Sequence, residues 1–250
     1  QRGFQVDMDA LMEVRDEFEQ ERNVLTVALE EQASDLMGDR TINLNSPEQL
    51  SWVIYSRKPH DKKLWADLFD ERMADAEYKR NVNAYSQKLY KQKAHQCRTC
   101  NGSGQVWKQK KDGTQYARAN KCNTCASCGY TFSDILSNVA GLKFTPPNAK
   151  WISANGFGTG KDNLVFLEGI ARSKGMKEAE SFLQNVRRLS AVETYLSSFV
   201  EGIATHVKPD GKLHVRLLQH RTGTGRLSGA DPNMQNMPRG GTFPVKKVFI

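Results

Sequence analysis

The chain has 250 residues, of which 36 are Lys or Arg and 28 are Asp or Glu, for a net charge of +8, and 38% are hydrophobic. That composition can bury a real core in one large domain or two small ones, and no apolar run is long enough to cross a bilayer, which excludes membrane-embedded and disordered classes. Charge changes sign along the chain: residues 1–56 carry 4 basic and 12 acidic side chains, 57–150 carry 18 and 8, 151–204 balance at 6 and 6, and 205–250 carry 8 and 2.

The start, Gln1-Arg2-Gly3-Phe4-Gln5, has neither an initiator Met nor the basic and apolar regions of a signal peptide. It reads as a cut or processed boundary and points to the cytoplasm. From Met8 to Met37 the residues Leu11, Val14, Phe18, Leu25, Leu29, Ala33 and Leu36 recur at threes and fours among acidic residues, which predicts a long one-faced helix ending at Gly38. At Asn45-Ser46-Pro47-Glu48-Gln49-Leu50, Ser46 can cap, Pro47 suits a first helical turn and Gln49 can reach back as in a capping box. Leu50, Val53 and Ile54 then form the buried face.

Residues 61–94 repeat a helical pattern through Leu64, Leu68, Tyr78, Val82, Tyr85 and Leu89. After Pro146-Pro147 a glycine-rich turn, Asn155 to Gly160, leads into a helix with Leu164, Leu167 and Ile170 that stops near Gly175. A second helix is expected from about Lys177 to Ile203, with Phe182, Val186, Leu189, Leu196, Phe199 and Ile203 inward. Beyond the turn at Asp210-Gly211, alternation of Leu213, Val215 and Leu217 predicts a strand up to about Thr222. Residues 223–241 read as a Gly/Pro/Asn-rich loop before a short apolar end, and no internal repeat stands out.

All five cysteines lie between Cys97 and Cys128, as Cys97-x-x-Cys100 and Cys122-x-x-Cys125-x-x-Cys128-Gly129. An odd number so clustered is unlike a disulfide framework, whereas two-residue spacing lets successive thiolates face one ion from a tight turn. Gly129 relieves crowding after Cys128, which favours Cys97, Cys100, Cys125 and Cys128 as ligands with Cys122 as the alternative. Four thiolates close a zinc site to substrate, so such a zinc is structural. Cys97-x-x-Cys100-Asn101-Gly102-Ser103-Gly104 also resembles one repeat of a chaperone-type cysteine-rich domain. The turn at Gly156 to Lys161 fails the phosphate-loop pattern, because Asn155 replaces the first Gly and Asp162 the Ser or Thr that would hold magnesium. Basic excess in two separate stretches suggests a polyanion, most economically nucleic acid, although solvated surface lysines give the same count.

Thr224-Gly225-Arg226-Leu227-Ser228 and Asp231-Pro232-Asn233-Met234-Gln235-Asn236-Met237-Pro238-Arg239-Gly240 resemble the primer-terminus motif of family A DNA polymerases, the group of bacterial DNA polymerase I and many phage replicative enzymes. The likeness extends upstream through Gly211-Lys212-Leu213-His214 and Gln219 and downstream through Phe243 to Phe249. Gly3 to Asp7 resembles the approach to that family's thumb, Asn45 to Leu50 a thumb helix start, and Phe182 to Leu196 the long helix returning to the palm. The resemblance covers about two thirds of the chain, and the cysteine segment departs from it as a zinc-ribbon-like insertion.

The resemblance implies that Arg226 donates into the minor groove at the primer end and that Asn233, Gln235 and Asn236 line the same groove. Acceptors there are nearly alike for every base pair, so a polymerase can sense pair shape without reading sequence. In the family the first catalytic carboxylate arrives in an Asp-Tyr-Ser motif just after the strand that here ends at Val248-Phe249-Ile250. Neither Asp210 nor Asp231 matches it, so no catalytic residue is expected in this chain. Two such carboxylates hold a pair of metal ions during polymerisation, so magnesium is expected for the assembled enzyme and not for these residues alone.

The expectation is therefore an α+β chain: thumb helices over 1–60, a basic insertion over 61–150 with its cysteine cluster at about 95–130, connecting helices over 151–207, and the first palm strand and primer-terminus loop over 208–250. It would grip primer-template DNA as part of a split or fragmentary polymerase, with an intein near Ile250 as one way to divide it. A second chain or the C-terminal polymerase fragment would bring the catalytic Asp residues, in the cytoplasm of a phage-infected host. The rival reading is a non-enzymatic, zinc-dependent nucleic-acid-binding module, and a third is a segment that docks replisome proteins.

Overall fold

The computed structural model describes residues 3–59, 86–147, 149–153, 156–218, 228–230 and 244–250. In chain order its elements are β1 (Phe4–Gln5), α1 (Met8–Met37), α2 (Pro47–Tyr55), β2 (Arg57–Pro59), β3 (Ser86–Lys88), β4 (Tyr90–Gln96), β5 (Gln105–Val106), β6 (Asn120–Lys121), β7 (Tyr130–Val139), β8 (Ile152–Ser153), β9 (Gly156–Phe157), α3 (Lys161–Ser173), α4 (Lys177–Thr194), a π-helical stretch (Tyr195–Val200), α5 (Glu201–His206), β10 (Lys212–Leu213), β11 (Arg216–Leu218) and β12 (Ser228–Ala230). Long helices with small antiparallel two-stranded sheets make an α+β fold. No described helix is long and apolar enough to cross a membrane.

The chain divides into two compact units, one of Gln1–Leu29 with Gln184–Ile250 and one of Glu30–Leu183. In the first, Leu11, Val14 and Phe18 of α1 share a core with Val192, Leu196, Val200 and Ile203. Their spacing by threes and fours puts each set on one helix face. Asp7 starts α1, its carboxylate accepting from the amides of Asp9 and Ala10 at 3.0 Å each. Sequence reading missed this cap, although Asp before an amphipathic run is its ordinary signal. Strand β1 pairs with β10, Phe4 opposite Leu213, and the Asp7 amide donates to the Val248 carbonyl at 2.9 Å. Both termini thereby reach one core, where Val6, Leu213 and Val248 are buried.

The expected single helix from Lys177 to Ile203 is extended to His206 and widened at Tyr195–Val200, where the Glu201 amide donates to the Leu196 carbonyl five residues back. The strand expected through Leu217 is broken after Leu213. Leu217 is 53% exposed, and Arg216–Leu218 pairs instead with Ser228–Ala230, inside the stretch read as loop. Pairing with a distant partner is what a count of alternating residues cannot see.

In the second unit, Leu50, Val53 and Ile54 of α2 are buried as expected. Ser46 caps α2 through the Gln49 amide, while the Gln49 side chain reaches past it to accept from the Asn43 amide at 2.7 Å. The Ser51 hydroxyl accepts from the Phe157 amide at 3.1 Å and the Tyr55 hydroxyl donates to the Gly158 carbonyl at 2.7 Å, tying α2 to the β8–β9 hairpin. The stretch 86–94, read as the end of a helix, belongs to the strands Ser86–Lys88 and Tyr90–Gln96 on either side of Leu89. Tyr90–Gln96 forms a ladder with Tyr130–Val139, and cross-strand pairing there overrides the local spacing of apolar residues. Leu64, Leu68, Tyr78, Val82 and Tyr85 lie outside the described residues, as does Asn155.

Candidate metal centre

The β4–β7 ribbon runs in register from Lys91 opposite Ile135 to Gln96 opposite Tyr130. The next residue on each strand continues it, the Cys97 amide donating to the Gly129 carbonyl at 2.8 Å. Two antiparallel strands thus present the cysteine segment at their end.

Here Cys97, Cys100, Cys122 and Cys125 converge, all buried and with their sulfurs within 4.8 Å of one another. Among the described residues this is the group able to hold a metal ion. Cys97 Sγ lies 3.9 Å from Cys122 Sγ, and Cys100 Sγ lies 3.7 Å from Cys125 Sγ. A tetrahedron of sulfurs about 2.3 Å from a central zinc has edges of about 3.8 Å. Disulfide sulfurs would be about 2.0 Å apart. The separations are those of ligands to one ion and leave no room for an open coordination position.

Residues 97–104 and 122–129 are one motif repeated, Cys-x-Thr-Cys-x-x-x-Gly, in which each cysteine faces its counterpart 25 residues away. The backbone follows the same symmetry. Amides of Ser103 and Cys128 donate to the carbonyls of Cys100 and Cys125, each at 3.0 Å, and the Cys122 amide donates to the Gly104 carbonyl at 2.9 Å as Cys97 does to Gly129. Gly104 and Gly129 both have positive φ, +71° and +82°, and a Cβ on either would strike the carbonyl oxygen of Ser127 or Gly102. Sequence analysis found no internal repeat; aligning these two octapeptides would have shown it.

The repeat brings Cys122, the alternative in the expected ligand set, into the cluster in place of Cys128. Cys128 stands where Ser103 stands in the first copy. The Ser103 hydroxyl contacts the carbonyl oxygens of Cys100 and Gln105 at 2.7 and 2.9 Å, and the Cys128 thiol contacts those of Cys125 and Tyr130 at 2.8 and 3.1 Å. Cys128 is exposed and lies outside the cluster. Gly129 serves the knuckle rather than Cys128, its amide donating to Cys125 Sγ at 3.3 Å.

Burial pushes the Cys97 thiol up, but the amides of Cys100 and Thr99 and the neighbouring thiols of Cys100 and Cys122 outweigh it and bring it down to about 7. The Cys125 amide lowers Cys122 against its burial. Cys125 is pushed up to about 12, by burial first and then by the surrounding thiols, against the opposing amide of Gly129. Four thiolates cannot share so small and buried a volume without a cation.

The residues expected to touch DNA, Arg226, Asn233, Gln235 and Asn236, lie outside the described residues. The strands Arg216–Leu218 and Ser228–Ala230 bracket the stretch that holds Arg226. Arg188, on the described helix α4, is joined to Glu21 by two bonds of 2.6 and 2.8 Å and lies 5.8 Å from the Phe18 ring centre.

Fold and site together define an α+β chain that carries a four-cysteine centre able to hold a metal ion. By sequence this chain is similar to DNA polymerase I, a family A DNA polymerase, as the motif at 224–240 implied. It is 50% identical over 87 residues to DNA polymerase I of Lactococcus lactis subsp. cremoris strain MG1363, a match covering 31% of this chain and 10% of that protein. It is 42% identical over 60 residues to DNA polymerase I of Bacillus caldotenax, covering 24% of this chain and 6% of that protein. The similarity therefore spans a tenth or less of these relatives' length. Among solved structures, the POL domain of Pol1 from M. smegmatis, in complex with DNA primer-template and dNTP, aligns with 96% of this chain and 24% of that one at 20% identity and a TM-score of 0.45. No family model matches the chain.

Proposed function

We propose that this chain is the thumb and first palm segment of a DNA-directed DNA polymerase and that it binds primer-template DNA. The observation that carries the reading is its 50% identity to a DNA polymerase I over 87 residues, joined to the primer-terminus motif from Thr224 to Gly240. In this reading Arg226 donates to minor-groove acceptors at the primer end, and the amides of Asn233, Gln235 and Asn236 serve as donors and acceptors along the same groove. The catalytic carboxylates come from residues outside these 250, on a second chain or on the remainder of the same one. Magnesium supplies the Lewis acidity that activates the primer hydroxyl and stabilises the triphosphate when those carboxylates hold it. Zinc, held by Cys97, Cys100, Cys122 and Cys125, has a structural role, because four thiolates leave it no position for substrate.

The test is binding of a labelled primer-template junction. Arg226→Ala should weaken it by roughly tenfold or more, in keeping with about 1.5–3 kcal/mol for a hydrogen bond that involves a charged group, while the chain alone should extend no primer with magnesium and nucleotides. If Arg226→Ala binds normally and loss of Cys97 and Cys100 abolishes binding, the chain is instead a zinc-dependent nucleic-acid-binding module. Primer extension by the chain alone would contradict catalysis from outside it.

A further inference from the structure

Between the two cysteine knuckles the chain leaves the metal centre at Gln105, runs out as a hairpin and returns at Lys121, with β5 paired to β6 and a bridge between Gln109 and Gln115. The turn is held by the Asp112 carboxylate, which accepts from the Thr114 amide and hydroxyl at 2.9 and 2.6 Å. An arm of this kind has no core of its own. Its two aromatic residues, Trp107 and Tyr116, are 53% and 48% exposed, so about half of each side chain is open to solvent. Along the same arm the sequence carries Lys108, Lys110, Lys111, Arg118 and Lys121 against the single acid Asp112. Lys110 Nζ lies 5.8 Å from the centre of the Tyr116 ring, and the Tyr116 amide donates to the Lys108 carbonyl at 3.1 Å. Among the described residues, none of these cations is paired with a carboxylate.

We propose that residues 105–121 are a binding arm for single-stranded DNA, with unpaired bases stacked on Trp107 and Tyr116 and phosphates held by the lysines and arginine of the same arm. Exposed rings interleaved with cations are the two features that sequence-tolerant single-strand binding requires. A duplex keeps its bases stacked on one another and would leave both rings uncovered. An acidic protein would match the charge alone. None of the arm's residues belongs to the motif at 224–240, so the inference stands or falls separately from the primer-terminus reading.

The experiment is fluorescence anisotropy of a labelled oligo(dT) titrated with the 250-residue chain at several salt concentrations. The double variant Trp107→Ala/Tyr116→Ala should bind at least about tenfold more weakly, since each stacked base contributes substantially to affinity. Trp107→Phe, which keeps a ring, should retain most of the binding. Lys108→Ala/Lys110→Ala/Lys111→Ala should reduce the log–log salt slope by about two, at about 0.7 per phosphate contact on a single strand. Arg226→Ala should leave oligo(dT) binding unchanged even where it weakens junction binding. These exposed residues can be replaced without loss of core, and unchanged far-UV circular dichroism verifies it. Undiminished binding by the aromatic double variant, no binding by the wild type, or equal affinity for poly-glutamate would each overturn the proposal.

Discussion

Cys122 and Cys128 share a side chain and differ in what surrounds it. Cys122 is buried with its sulfur facing Cys97, whereas Cys128 is exposed and its thiol faces two carbonyl oxygens. We expect Cys128→Ser to bind one zinc per chain with little change in affinity, because Ser103 already fills the equivalent position. Cys122→Ser should lose the stoichiometric metal, as inductively coupled plasma mass spectrometry of the purified variants would reveal. Asp210 offers a second residue-scale expectation. Its carboxylate is held below the usual range first by the His214 ring at 2.9 Å, then by the Lys212 amide at 3.0 Å. A carboxylate depressed in the folded state contributes stability above its unfolded pKa of about 3.9 and loses that contribution as pH falls through the lower folded value. Asp210→Asn should therefore be less stable than wild type near pH 6, and the difference should vanish toward about pH 2, as urea titrations at both ends would record.

Elements are set by their ends as much as by their faces. In α2 the Ser46 side chain accepts from the Gln49 amide at 3.5 Å, Pro47 fills the first turn, and Ser56 closes the helix in a left-handed conformation with φ of 58°. Ser46→Ala should lower stability by about 1 kcal/mol in a denaturant melt, the usual loss for such a cap. The longest error of sequence reading is also of this scale. Tyr90–Gln96 carries few apolar residues, and its spacing suits a helix as well as a strand; only the opposing Tyr130–Val139 settles the matter. The π-helical stretch at Tyr195–Val200 is similar. Leu196, Val200 and Ile203 are all buried, and the wider turn keeps a continuous apolar face that an unbroken α-helical count places only approximately.

For the whole molecule, the cysteine segment and the unit that joins both ends of the chain are held by different physics. The unit formed by residues 1–29 and 184–250 has a core of aliphatic and aromatic side chains, with Leu11, Val192 and Leu213 fully buried. Around the cysteines the packed hydrophobic neighbour is Val106, so burial there is nearly all sulfur. Metal binding supplies on the order of 10–16 kcal/mol in small zinc folds and can replace a core outright. Chelation should therefore remove hydrogen-exchange protection from the amides of residues 97–129 while leaving those of Leu11, Val14 and Val200 protected. Simultaneous loss at both places would show that the knuckles are not stabilised independently.

Much of this was legible in the residues themselves. Periodicity alone placed α1 and α3, Ser46 and Pro47 marked the start of α2, the clustered cysteines announced a thiol cluster able to hold a metal ion, and the stretch from Thr224 to Gly240 carried the likeness to family A polymerases. These are local signals, because a helix face, a cap or a two-residue ligand spacing is determined within one or two turns of chain. Tertiary structure decided the rest: that Tyr90–Gln96 is a strand, that the termini meet through Phe4 and Leu213, and that Cys122 rather than Cys128 completes the cluster. Each depends on a partner 25 or more residues away, and spacing along one segment does not reveal which distant residue will fold back against it.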